Sequence, residues 1–364
     1  RCQHRTRTPD TLVVMEFRRI ENLPPYVFSI INGLKIEARR AGADVVDLGF
    51  GNPDIPSPQI AVDKLAEAAR NPKNHRYSLS RGLPKLREAI AGYYKAKWDV
   101  DLDTELEITN TIGSKEGFSH LMWVLLDRGD AAIVPSPSYP IHIDGPLFAG
   151  ADLRQVPMKF LADPDQREHF ADDFMDSLQT AWDVGWPKPR VLVISFPHNP
   201  TGATVDLAFM QRVVDFCREH EMIVVHDFAY ADVGFDGHQP PSILQAEGAK
   251  ECAVELYSMT KSFSMAGWRS AFLLGNAEVV QALVKLKSYL AYGLFQPVQI
   301  AATVTINEAA DYPNEIRSIY ESRCDTLIDG LGRIGWDIPK PGGSMFVWAP
   351  IPEPYAEMDS VEFC

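Results

Sequence analysis

The stretch Ser258-Met259-Thr260-Lys261, with Gly267-Trp268-Arg269 after it, places a lysine between a serine and an arginine. A lysine amine attacks an aldehyde when burial or a nearby cation destabilises its ammonium form. Both conditions are expected at Lys261: residues 253–257 read as a buried strand, and Arg269 supplies a second cation. Ser258 and Arg269 could hold a phosphate beside it, the arginine through its planar fork. Taken alone, such a lysine is more simply a loop residue near an unrelated arginine, so the argument needs further groups.

Four more stretches supply them. Ile223-Val224-Val225-His226-Asp227 puts a carboxylate at the end of an apolar run, with Tyr230 close behind. A buried carboxylate is costly unless paired, and a protonated ring nitrogen would suit Asp227, with Tyr230 donating to a ring oxygen. The plainer alternative is an aspartate capping the next helix. Ser195-Phe196-Pro197-His198-Asn199-Pro200-Thr201-Gly202 is first a turn signal, yet the Asn199 amide could face a ring oxygen and a carboxylate. Thr111-Ile112-Gly113-Ser114-Lys115-Glu116-Gly117 opens a helix after a strand, where unpaired N–H groups attract phosphate; an ordinary helix capped by Ser114 is the alternative. In Ser136-Pro137-Ser138-Tyr139-Pro140, Tyr139 could stack on a ring, although an aromatic there more often packs. His198 and His226 lack metal-ligand spacing, so no metal site is expected, and Gly49-Phe50-Gly51 lacks the third glycine of a dinucleotide fingerprint.

These residues need a sheet to bring them together. Residues 45–48, 106–109, 132–134, 191–195, 223–225, 253–257 and 271–274 read as strands, mostly continuous apolar runs of the kind covered on both faces. Between them, Phe118, Leu121, Met122 and Leu125, and then Leu207, Met210, Val214 and Cys217, repeat at helical spacing. The alternation predicts an α/β fold with a mostly parallel sheet, whose ligands sit at the carboxyl ends of the strands. A long helix at 312–335 and a strand at 345–348 suggest a smaller α+β domain.

The expected organisation is a non-native leader over 1–14, an N-terminal segment over 15–60 that joins the small domain, a large cofactor-binding domain over 61–300, and a small domain over 301–364 that is truncated at its C-terminus. At 364 residues, two domains are the ordinary expectation. A net charge of −14 argues against nucleic acid as a partner, and no apolar run reaches bilayer length. Five dispersed cysteines without a CxxC pair suit free thiols in the cytoplasm.

Together and in this order, the motifs resemble the fold-type I pyridoxal-phosphate aminotransferases. The likeness is nearest to glutamate–pyruvate (alanine) aminotransferases related to LL-diaminopimelate aminotransferase. It also rests on Leu23-Pro24-Pro25-Tyr26-Val27-Phe28, Gly51-Asn52-Pro53-Asp54, Tyr77-Ser78-Leu79-Ser80-Arg81-Gly82 and Ile351-Pro352-Glu353-Pro354-Tyr355. The resemblance implies that Lys261 carries pyridoxal 5′-phosphate as a Schiff base and then shuttles the substrate proton. It implies that Asp227 pairs with the ring nitrogen, Tyr230 and Asn199 with the ring oxygen, and Tyr139 with the ring face. Ser114, Lys115, Ser258 and Arg269 would hold the phosphate. Tyr77 would reach the phosphate of a neighbouring subunit, which makes a homodimer the expected partner state. Tyr26, Gly51 and Asn199 would line the substrate side, for an amino acid and a 2-oxo acid. The family's carboxylate-binding arginine is expected beyond Phe363. Rival readings are LL-diaminopimelate aminotransferase, a carbon–sulfur lyase of the same fold, and a non-catalytic regulatory domain that binds the cofactor.

Overall fold

The computed structural model describes Phe17 and residues 27–49, 51–158 and 169–363. The chain divides into two compact units, one ending at Gly51 and the other beginning at Asn52. In the first unit Val27–Arg40 forms a helix, and Lys35 Nζ meets Asp47 Oδ2 at 2.7 Å, tying the following extended segment back to it. The strand expected at 45–48 does not form. Val46 and Leu48 are 77% and 76% exposed, and no described strand pairs with them. A β-branched run becomes a strand only where a neighbour completes its ladder.

The second unit is built on seven strands: β1 (Ile108–Ile112), β2 (Ala131–Ser136), β3 (Asp152–Pro157), β4 (Val191–Ile194), β5 (Ile223–Phe228), β6 (Ala253–Ser258) and β7 (Ser270–Gly275). Their order is β1-β7-β6-β5-β4-β2-β3. The pairings from β3 through β6 are parallel, and β7 runs antiparallel to both of its neighbours. This is the mostly parallel α/β sheet that the alternation predicts. The apolar runs do not alternate with polar residues because both faces are covered. Leu192, Val224, Tyr257 and Phe272 pack into one core layer, while Val193, Val225, Leu256 and Leu273 pack into the other. The helix Ser114–Leu125 covers that second face with Phe118, Leu121 and Met122. The helix Leu207–Glu219 covers the first with Met210, Val214 and Cys217; its Leu207, expected on the apolar stripe, is 40% exposed at the first turn.

Three sequence readings shift. β1 starts later than expected because Asp103 Oδ1 accepts from the backbone N–H of Glu105 and of Leu106, which holds 103–106 in a turn. The edge strand β3 escapes the reading because Asp152-Leu153-Arg154-Gln155-Val156 carries little apolar signal. The helix expected at 312–335 forms as Tyr312–Gly332, but 345–348 is not a strand. There Ser344 takes a φ of 70° and its Oγ accepts from Phe346 N–H, so the chain turns after a single bridge between Gly234 and Gly343.

Candidate active site

The sheet register gathers the chemical residues at one edge. β4, β5 and β6 run parallel, so the Asn199 turn, Asp227 with Tyr230, and Lys261 all leave from their carboxyl ends. β7 runs the other way, so Arg269, just before it, returns to that same edge. β1 reverses again and pairs Ile112 with Ser270, which sets Gly113 beside Arg269. The closeness is measurable: a Cβ on Gly113 would stand 2.0 Å from Arg269 Nη2, and Gly113 has a φ of +79°. Gly113 is the N-cap of the helix Ser114–Leu125, so the alternative of a helix capped by Ser114 does not hold.

Lys261 lies in the short helix Met259–Ser262, where Ser258, fully buried, accepts from Thr260 N–H at 3.2 Å. Its Nζ stands 5.9 Å from the centroid of the Tyr230 ring. Burial lowers its pKa to about 8, which leaves a minor but appreciable fraction of the amine neutral near physiological pH. Tyr230 is pushed well above the ordinary tyrosine value, first by burial and then by the Asp227 charge, and it shares a hydrogen bond with Asn199. It stays a protonated donor.

Asp227 is the penultimate residue of β5 and is followed by a turn, so helix capping is excluded. Ser195 Oγ donates to its backbone carbonyl at 2.9 Å. Its Oδ2 faces His142 Nε2 at 2.9 Å, and His142 Nδ1 faces Ser138 Oγ at 2.9 Å. With the carboxylate accepting, Nε2 donates, and the Ser138 hydroxyl pairs with Nδ1. Among the described residues no donor reaches the buried Asp227 Oδ1. A buried carboxylate oxygen without a partner is costly, and a ring N–H is a group that would complete it.

His142 is the residue that sequence reasoning missed. Its signal was its place in the first turn of the helix Pro140–Ala149, directly after Ser138 and Tyr139. His198, discounted as a metal ligand, is wholly buried and hydrogen-bonds Thr201 Oγ1 at 2.8 Å; burial, and then the nearby His142, lower its pKa to about 3 and keep it neutral. Lys115 Nζ lies 5.8 Å from the Tyr139 ring centroid. Tyr77 is 88% exposed and rests against Tyr292, with ring centroids 5.2 Å apart. Gly51 is half-buried at the end of the first unit, and Tyr26 lies outside the described residues.

A mostly parallel sheet edge with a partly neutral lysine, a carboxylate with one open oxygen and a guanidinium over a helix N-terminus suits a phosphorylated pyridine aldehyde. Residues 43–362 match the family of class I and II aminotransferases, to which the chain belongs. It is a pyridoxal-phosphate-dependent aminotransferase of fold type I. It is 46% identical over 354 residues to glutamate–pyruvate aminotransferase AlaC of Escherichia coli K12, covering 97% of this chain and 84% of that protein. It is 39% identical to an LL-diaminopimelate aminotransferase of Moorella thermoacetica, covering 96% and 87% of the two chains. Among solved structures, substrate-bound BacF of Bacillus subtilis superposes with a TM-score of 0.84 at 33% identity, covering 93% of this chain and 84% of that one.

Proposed function

We propose that this enzyme exchanges amino groups between alanine or glutamate and pyruvate or 2-oxoglutarate. The observation that carries this preference is the 46% identity, across 97% of the chain, to a glutamate–pyruvate aminotransferase. LL-diaminopimelate is the second reading, favoured by relatives at 39%.

The electron sink needed to ionise the Cα–H bond of an amino acid comes from bound pyridoxal phosphate. Lys261 supplies the amine that anchors the cofactor covalently and, once displaced, the base that moves the proton at substrate Cα. Its lowered pKa favours both roles. Asp227 offers Oδ1 to the ring nitrogen, and His142 holds the other carboxylate oxygen. Tyr230 and Asn199 face the ring oxygen, Asn199 also the substrate carboxylate, and Tyr139 the ring. Arg269, Ser258, Ser114 and Lys115 would grip the phosphate, and Tyr26 and Gly51 are the residues proposed to meet the substrate. The enzyme works as a cytoplasmic homodimer in which Tyr77 of one copy completes the phosphate site of the other; the exposure of Tyr77 supports that reading.

The test is an amino-acid panel read by loss of the pyridoxal band and rise of the pyridoxamine band. Alanine and glutamate should turn over fastest. Faster turnover of LL-diaminopimelate would select the second reading.

A further inference from the structure

We propose that Lys287 and Gln299 are positioning residues that fix the 78–83 loop, so that Tyr77 is presented in a set pose to the phosphate site of a second copy of the chain. The inference rests on the dimer reading above and assigns a role to residues outside the site itself.

Lys287 is 1% exposed. Its Nζ donates to the carbonyl of Ser80 at 2.9 Å and, by a short contact, to that of Asn110 on β1. Asn110 N–H in turn donates to Arg81 O at 3.1 Å. Gln299 is wholly buried; its Oε1 accepts from Leu83 N–H at 2.8 Å and its Nε2 donates to Ser78 Oγ at 3.1 Å. Gly293 N–H donates to Ser78 O at 3.1 Å, and a Cβ on Gly293 would stand 2.2 Å from Leu79 O. The loop backbone is thus clamped between β1 and two helices. Leu79 within it, and Tyr77 directly before it, nevertheless stand 78% and 88% exposed. A clamp this close, behind side chains with so little cover, fits a loop shaped for contact with another molecule.

Burying an ammonium is expensive even with two carbonyl acceptors, and burial lowers the Lys287 pKa to about 8. A methionine would fill the space at lower cost. Lys287 also feels the charge of Glu116, which accepts from Ile112 N–H at 2.9 Å beside Lys115. The competing reading is therefore that Lys287 supports the phosphate cradle of its own subunit.

Hybrid dimers separate the two. In the first hybrid one subunit carries K261A and the other K287M. In the second, one subunit carries both and the other is unchanged. Each hybrid has one Lys261, so the pyridoxal phosphate concentration giving half-maximal borohydride-fixed adduct reports one site. If Lys287 acts across the dimer, the first hybrid should match a K261A/wild-type control. The second should need ~10-fold more cofactor, on the scale of one charge-assisted hydrogen bond. The reverse pattern, or equal affinities, overturns the proposal. Should K287M fail to fold, Q299L is read in the same two arrangements. Y77F hybrids test the underlying reading. If Y77F acts across the dimer and K287M does not, only this inference falls; if neither does, the dimer-built site falls with it.

Discussion

At the scale of single residues, the proposed site rests on one buried amine and one buried carboxylate. Lys261 is buried enough for its pKa to fall to about 8. Its neutral form is the nucleophile, so the rate at which apo-enzyme captures pyridoxal phosphate should rise with pH and reach half its plateau near pH 8. K261A should yield no borohydride-fixed adduct at any pH. A capture rate that is flat from pH 7 to 9 would place the anchor elsewhere. Among the described residues, one oxygen of the buried Asp227 carboxylate has a partner, His142 Nε2, and the other has none. His142→Leu strands the paired oxygen. Since a hydrogen bond to a charged group contributes ~1.5–3 kcal/mol, kcat for alanine should fall by ~10-fold or more, with KM little changed. An unaltered kcat would mean that Asp227 serves the site without the histidine.

At the scale of elements, placement is done by strand direction. β7 reverses and carries Arg269 back to the edge that Lys261 leaves, and β1 reverses again to bring Gly113 under the guanidinium. Gly113→Ala should therefore act twice. At φ 79° and ψ 157° the backbone is open essentially to glycine alone, so a side chain there adds ~1–3 kcal/mol, visible as a lower Tm. The new methyl would also displace Arg269, and cofactor affinity should fall by ~10-fold if the two phosphate contacts act together. Lower stability with unchanged affinity would show that the arginine re-seats. The sequence made much of this legible. The apolar runs before Asp227, Asn199 and Lys261 are long enough to read as covered strands, and turn residues mark their ends. It did not reveal that β7 is antiparallel, because a run such as Ala271-Phe272-Leu273-Leu274 has no direction written in it. Nor did it reveal His142, which pairs with Asp227 and belongs to no motif of its own. The failed strands at 45–48 and 345–348 have apolar residues enough; what they lack, among the described residues, is a neighbouring strand.

At the scale of the whole molecule, the question is what covers the aromatic side chains around Tyr77. Tyr77 rests on Tyr292, and the His75 and Phe295 rings lie 6.0 Å apart. Leu79 and Tyr289 add exposures of 78% and 82%. Exposed apolar side chains such as these suit the interface that the proposed homodimer requires. A partner copy would carry the same net charge of −14, so long-range electrostatics opposes pairing, and apolar burial must supply the attraction. Added salt up to physiological strength should then tighten the dimer by screening that repulsion, whereas an interface built on ion pairs would loosen. Tyr292→Asp should place a charge in the apolar contact and shift sedimentation toward the monomer. Because Tyr77 would leave the phosphate site with the partner, cofactor affinity should fall in the same concentration range in which the dimer dissociates. A Tyr292→Asp protein that sediments as a monomer yet binds pyridoxal phosphate as tightly as wild type would show that each chain builds its site alone.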